Sequence, residues 1–310
     1  MWDNFIGRQI RRGTRNLFIW NTLILVGLAV ALYFSSRYYY NFFLGPFSVE
    51  AKEWANIGNP DERLEYYVVI NGNEIAETGI IHKKDRTRRG RKIGEEVVSR
   101  DLLFTLADDT AVVVEYHPRD AAKNQATGTL EDLPRSDNYH RIAQEKFGKP
   151  IRVAPVRVDA TGFRLRGWIG LAIMIPLGLL ATFNIYRAIR RWGDFARHPL
   201  AKQLERYGDP AEIATQVEDE WHSDDKHQVG PVTVTRMWCI QPHTFGVNLV
   251  HLGEAVWVYK SATRHYHNGI PTGTTYAGVL CDNQGNQHTF TLKSEPLCDE
   301  FVGAIVDRVP

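Results

Sequence analysis

The chain has 310 residues, of which 44% are hydrophobic, so it is long enough for about two folded domains with cores of their own. Its 37 basic and 36 acidic side chains leave a formal net charge of +1, which excludes a global attraction to nucleic acid. The mean hydropathy of -0.31 excludes a chain that is mostly embedded in a membrane, so spanning segments must be few.

The N-terminal part combines a basic leader with an apolar run. In residues 1–16, arginines are interspersed with apolar residues, which predicts either a short cytoplasmic amphipathic helix on the inner leaflet or a frayed terminus. Residues 17–34 carry no charge and come close to crossing a hydrocarbon core of roughly 30 Å. A cleaved signal peptide is the alternative, but the Ala-Val-Ala sequence at 29–31 lies inside the apolar run. We therefore predict a transmembrane helix over 17–34.

Residues 35–167 have the pattern of a β-rich extracytoplasmic domain, and a small barrel is one form that this pattern allows. Two apolar runs flank the turn Asn71-Gly72-Asn73, and runs beginning at Asp101 and Ala111 flank a short acidic turn. Each pair predicts a hairpin. A helix over 137–147 and a strand from Ile151 complete the predicted domain.

The most distinctive segment of this domain is Lys83 to Lys92, where seven of ten residues are basic. We predict a solvated loop, which is either a flexible hairpin tip or a patch that contacts an anionic partner or lipid headgroup. The candidate contacts are Lys83, Lys84, Arg86, Arg88, Arg89, Arg91 and Lys92.

A second uncharged run over 168–186 predicts a second transmembrane helix. Four arginines precede the first run, and five basic residues follow the second, namely Arg187, Arg190, Arg191, Arg197 and Lys202. The positive-inside rule then places both termini in the cytoplasm of a two-pass plasma (inner) membrane protein. All three cysteines lie after the second run, as expected for a reducing compartment.

The remaining residues are predicted to be cytoplasmic. Residues 187–228 read as a helical connector, in which Asp209, Pro210 and Glu212 form a capping-box signature. Residues 229–310 read as a run of strands closed by a helix from about Glu295.

The strand order, with one closing helix, resembles the small pleckstrin-homology-like (PH-like) domains that bacteria attach to membrane spans. The connector HPLAKQLERYGDPAEIATQVEDE is similar to that of an uncharacterised group of two-span bacterial membrane proteins. The resemblance extends from His198 to the end of the sequence and rests on pattern. It implies an α+β membrane protein with a C-terminal PH-like domain, and it transfers no functional residue.

Sequence motifs for catalysis are absent: there is no GxSxG, HExxH, Walker or dinucleotide-binding signature. His265 and His267 share a strand face but have no recognisable ligand spacing, so we predict no metal, cofactor or catalytic residue.

The topology is therefore the main clue to function. We expect a non-enzymatic adaptor, scaffold or assembly factor in the lipid bilayer that links an extracytoplasmic to a cytoplasmic protein partner, without binding nucleic acid. The alternatives are a self-associating membrane scaffold, or a ligand sensor or enzyme whose site is assembled from distant residues.

Overall fold

The computed structural model describes residues 3–88, 90–120, 123–133, 136–192, 194–267 and 270–309, without the side chains of residues 88, 91, 136 and 195. The chain forms two compact units. The C-terminal unit comprises Met1–Val26 and Gly178–Pro310, and the central unit comprises Gly27–Leu177.

Helices and strands are numbered separately along the chain. The α-helices are α1 Phe5–Phe34, α2 Ser36–Leu44, α3 Ala51–Trp54, α4 Ser136–Phe147, α5 Phe163–Trp192, α6 Pro199–Leu204, α7 Pro210–His222 and α8 Glu295–Val306. The strands are β1 Phe47–Ser48, β2 Tyr67–Asn71, β3 Glu74–Arg88, β4 Arg91–Thr105, β5 Thr110–Tyr116, β6 Gln125–Asp132, β7 Arg152–Asp159, β8 His227–Val229, β9 Val232–Val234, β10 Trp238–His243, β11 Gly246–His251, β12 Ala255–His267, β13 Ile270–Asp282 and β14 Gln287–Leu292.

Two helices, α1 and α5, are long and apolar enough to cross a membrane. Each has 30 residues, or about 45 Å at 1.5 Å per residue, and contains an 18-residue window of mean hydropathy 2.2 or 1.9. Only 6% of each window is buried. A soluble core helix would be mostly buried, so both apolar surfaces still need a covering. The predicted runs 17–34 and 168–186 lie inside these helices.

The basic leader is not a separate element. From Phe5 onward it is the first part of α1, and Phe5, Ile6 and Ile10 are buried in a cluster with residues of α6, α7, β10 and β11. The prediction of a helix lying on the inner leaflet is wrong for these three residues, because their apolar side chains contact protein. Met1 and Trp2 lie outside the described residues.

A seven-stranded sheet forms the central unit, in the order β1-β2-β6-β7-β5-β4-β3. The pairs β1–β2 and β5–β7 are parallel and the other pairs are antiparallel. Within the described residues the edge strands β1 and β3 each pair with one neighbour, so the sheet is open rather than a barrel. The predicted hairpin around Gly72 is also wrong, since β2 pairs with β1 and β6 while β3 pairs with β4. The hairpin β4–β5 and the helix α4 agree with the prediction.

Both faces of this sheet are covered. One face packs around Trp54 of α3, with Phe104 and Val112 among its buried residues. On the other face, Leu103 and Val113 form a cluster with residues of α4. The alternation along β4 and β5 therefore places successive side chains in different cores, as the two-residue period of a strand requires.

The C-terminal unit contains a four-stranded sheet, β11-β10-β9-β8, and a three-stranded sheet, β12-β13-β14. Helix α8 packs on both sheets through Phe301, whose ring lies 5.4 Å from that of Phe290. Cys239 and Cys298 are buried in the same core, where they act as small apolar residues, and burial raises the pKa of the Cys239 thiol. Residues 235–237 separate β9 from β10, and Gln241 and Pro242 lie within β10.

The connector helices α6 and α7 pack against the first part of α1 in this unit. Helix α7 begins at Pro210 as predicted, but the Asp209 side chain makes no capping hydrogen bond, so the predicted capping box does not form. Its apolar face contributes Ile213 and Val217 to the cluster around Ile6. Arg8 of α1 also pairs with Glu218 of α7 at 2.9 Å, beside this apolar contact.

His198 caps α6 and makes the stability of this unit depend on pH. Its Nδ1 accepts a hydrogen bond from the Leu200 amide at 3.2 Å, and burial together with the charge of Arg191 lowers its pKa to about 4. Between pH 6.5 and about 4 the unfolded chain therefore binds a proton that the folded chain does not. The free energy of unfolding consequently decreases as the pH is lowered through this interval, by about 3 kcal/mol at most.

The variant His198→Asn keeps a capping acceptor and removes this titration. We expect the stability advantage of the unmodified chain over the variant to shrink as pH falls through this window, in denaturant titrations of the detergent-solubilised chain. A pH-independent difference would contradict the assignment to His198.

Candidate interaction surfaces

Two strands of the central unit extend beyond the body of the sheet as a two-stranded arm. Strand β4 pairs with β5 only from Arg100 to Thr105, and nearer the tip it pairs only with β3. We call residues 83–98 the basic arm. Its described side chains are exposed, and they include the apolar residues Ile93, at 59% exposure, Val97 and Val98.

The basic residues predicted to form a solvated loop lie in this arm. Lys83, Lys84 and Arg86 are in β3 and Lys92 is in β4, so the prediction of a loop is wrong for these residues, although they are exposed to solvent. The physical reason is that each strand supplies the backbone partners of the other across the ladder. Arg89 lies outside the described residues, and only the backbones of Arg88 and Arg91 are described.

Acidic residues on the same arm partly neutralise its charge. Lys92 Nζ lies 2.7 Å from Asp85 and 3.0 Å from Glu95, and Lys83 lies 3.4 Å from Glu95. The hydrogen bond from Lys92 lowers the pKa of Glu95, while those to Asp85 and Glu95 raise the pKa of Lys92. Residues 83–96 contain seven basic and three acidic side chains, so the arm retains a net charge of +4. Exposed pairs of this kind add little stability, and the arm remains available to an anionic surface.

The C-terminal unit carries a second arm. Strand β13 pairs with β14 only from Tyr276 to Cys281, so the far ends of β12 and β13 pair only with each other. We call residues 261–275 the C-terminal arm, of which Asn268 and Gly269 lie outside the described residues. Tyr266 and Ile270 on this arm are 60% and 67% exposed. Sequence reasoning missed the apolar residues of both arms, because isolated exposed positions resemble half-buried strand positions.

A buried polar network lies at the base of the basic arm. The Asp101 carboxylate is fully buried, and its oxygens lie 2.9 Å and 3.0 Å from His82 Nε2. The Tyr139 hydroxyl of α4 donates to the same carboxylate at 2.6 Å. Burial and this hydrogen bond raise the pKa of Tyr139 well above its usual range. The network therefore ties β3 and β4 to α4.

Glu115 extends the network to two further strands. It accepts hydrogen bonds from Ser99 and from Arg157 of β7, and Arg157 also pairs with Glu131 of β6 at 2.6 Å. One ligand atom each from His82, Asp101 and Glu115 lies within 4.8 Å of the others, which is compatible in geometry with a cation. Both carboxylates, however, already accept hydrogen bonds, and the Arg157 charge occupies the place of a cation. The arrangement is therefore that of a satisfied structural network.

A cavity of about 420 Å³ beside α6 contains titratable groups. The Tyr207 hydroxyl donates to Glu254 at 2.7 Å, and Asp282 accepts hydrogen bonds from Asn286 and lies 3.0 Å from His288 Nε2. Burial alone would raise the pKa of Asp282, but these hydrogen bonds outweigh it and lower the pKa. These groups hold the turn between β13 and β14, and their geometry singles out no nucleophile or general base.

Comparison with known proteins adds no functional assignment. A scan against protein-family models finds no match to this chain, and a search of curated proteins finds no significant similarity.

Proposed function

We propose that the chain is a two-pass membrane protein that acts as a non-enzymatic adaptor, with one protein partner bound by each of its two arms. The exposed apolar surfaces of α1 and α5 support the membrane crossing. The arginines around the two apolar runs and the location of the cysteines support cytoplasmic termini in a plasma (inner) membrane. In this topology the central unit is extracytoplasmic and residues 187–310 are cytoplasmic.

The two arms are the main evidence for the adaptor role. In both units a sheet continues past its body as an exposed two-stranded ribbon that bears apolar residues. A two-stranded ribbon alone is marginally stable in water, and exposed apolar side chains are a usual component of protein interfaces. A partner bound to each arm would cover these apolar side chains and stabilise the two-stranded ribbon. The four-stranded and three-stranded sheets closed by α8 also fit the PH-like resemblance. Because many PH-like domains serve as interaction modules, this resemblance supports the adaptor role.

The test is site-specific photocrosslinking in intact membranes. A benzophenone amino acid replaces Ile93 on the basic arm or Tyr266 on the C-terminal arm. Matched controls replace Glu145 and Gln216, which are exposed on α4 and α7 away from the arms. We expect discrete protein adducts at the two arm positions, in clear excess over the controls, with partners identified by mass spectrometry.

Each outcome discriminates between the hypotheses. Adducts that contain only this chain support the self-associating scaffold instead of the adaptor. Equal labelling at arm and control positions contradicts the assignment of the arms as interaction surfaces.

A further inference from the structure

A cavity of about 450 Å³ in the C-terminal unit lies between the first part of α1 and the last turn of α5. Its lining contains five arginines, which are Arg8, Arg11, Arg12, Arg15 and Arg191. None of the described residues that line it is acidic. Five guanidinium groups around one cavity repel each other, and an anion within it would relieve this repulsion.

Only part of this positive charge is compensated by the protein. Arg8 pairs with Glu218 at 2.9 Å and Arg11 lies 3.4 Å from Asp3. Within the part of the chain that the structure describes, Arg12, Arg15 and Arg191 have no hydrogen bond or ion pair. Three guanidinium groups are therefore available to an anion, and the fork of donors on each matches the oxygens of a phosphate.

A buried hydroxyl provides independent evidence that the cavity is a binding site. Thr14 lines the cavity and is only 5% exposed, yet its Oγ1 has no hydrogen-bond partner among the described residues. A helical threonine ordinarily satisfies its hydroxyl on the carbonyl one turn earlier. A buried polar group without a partner costs free energy, which a bound acceptor recovers.

Close packing fixes the backbone at this threonine. A Cβ on the neighbouring Gly13 would lie 2.4 Å from the Phe245 carbonyl oxygen, so α1 touches the turn between β10 and β11 there. Asn16 Nδ2 donates to the Thr244 carbonyl at 2.7 Å on the same side of the helix. Thr14 is therefore held in place before any ligand binds, as a preorganised site requires.

The apolar neighbours indicate the source of the phosphate. Trp192 also lines the cavity and packs edge-on to Phe18 at 6.2 Å, where the apolar parts of α1 and α5 begin. Ile19 and Ile189 are exposed nearby along the two helices. A phosphate with attached acyl chains matches this combination, because arginines and Thr14 contact its headgroup while its chains follow the apolar helices.

We propose that this cavity binds the phosphate of an anionic phospholipid. The inference rests on the proposed membrane crossing of α1 and α5 and is independent of the adaptor role. The lipid phosphate neutralises Arg12 and Arg15 and accepts a hydrogen bond from the Thr14 hydroxyl. It fixes the end of α5 against α1 within the C-terminal unit.

Native mass spectrometry of the full chain in neutral detergent tests this assignment. The probes are phosphatidylglycerol, phosphatidylcholine and inorganic phosphate. We expect one retained phosphatidylglycerol, with affinity reduced roughly tenfold or more by Arg12→Gln/Arg15→Gln, and roughly threefold to tenfold by the isosteric Thr14→Val. The matched control Arg187→Gln/Arg190→Gln removes the same charge from α5 at positions that do not line the cavity, and should leave binding within about twofold.

The outcomes separate the alternatives. Equal losses in the test and control pairs, or equal retention of phosphatidylcholine, overturn the site. Competition by inorganic phosphate as strong as that by phosphatidylglycerol assigns the site to a free anion and overturns the lipid. Thr14→Val keeps the test decisive if the double variant fails to fold. Alkaline extraction of membranes is run in parallel: release of the chain contradicts the membrane crossing itself, whereas retention without lipid selectivity contradicts only the cavity.

Discussion

Replacing Gly278 with valine should destabilise the C-terminal unit by about 3 kcal/mol. A Cβ at this position of β13 would lie 2.2 Å from Cδ1 of Phe301, a ring that is fully buried between α8 and the sheets. Overpacking of a dense core costs about 1–3 kcal/mol and occasionally more, and a branched side chain against a ring lies at the upper end. We expect reduced amide-exchange protection in β13, β14 and α8 of the full chain in detergent.

Gly303 supplies the matched control. It is exposed on α8, and a Cβ there meets no atom within 4 Å. Gly303→Ala should stabilise the helix by roughly 0.5–1 kcal/mol, because alanine has the higher helix propensity. Native-like protection in Gly278→Val would show that α8 is not seated against β13 in this way.

Replacing Asp101 with alanine should destabilise the central unit by roughly 3–4 kcal/mol. The substitution leaves the buried Tyr139 hydroxyl and the His82 ring without their shared acceptor, and it removes the connection between β4 and α4. Asp101→Asn keeps one acceptor oxygen and should cost about half as much. Amide exchange in peptides from β3, β4 and α4 reports the effect within this unit.

Glu145→Ala is the control for this substitution, since Glu145 is an exposed acid on α4. We expect its effect to stay within about 0.5 kcal/mol. An Asp101→Ala variant as stable as the control would contradict a stabilising role for the network. Enhanced amide exchange confined to the C-terminal unit would contradict the location of this network in the central unit.

The elements with strong local signals were predictable from sequence. The uncharged runs in α1 and α5, and the β-branched residues of β5 around Val112, indicate their structures without reference to the rest of the chain. The pairing of β2 was not predictable in this way. Its neighbour β6, with the sequence QATGTLED, has few strand-forming residues and is held in place by β2 on one side and β7 on the other.

The candidate surfaces depend still more on distant contacts. The basic run read as a loop because charged residues have low strand propensity, yet Asp85 and Glu95 lie where they pair with Lys92 across the ladder. Asp101 looked like the polar start of a strand, and only the packing of α4 shows that it is buried. The arginines of the leader indicated topology, but the cavity that they line requires the end of α5.

The burial of the start of α1 also sets an order of events during synthesis. Phe5, Ile6 and Ile10 leave the ribosome long before their partners on α7 and β10 are translated, and the Arg8–Glu218 contact joins residues 210 apart. While the intervening segment is being made, this apolar face has no partner in the chain. Chain products that stop before α7 should therefore expose it, and chaperones or proteases that recognise apolar segments should act on such products.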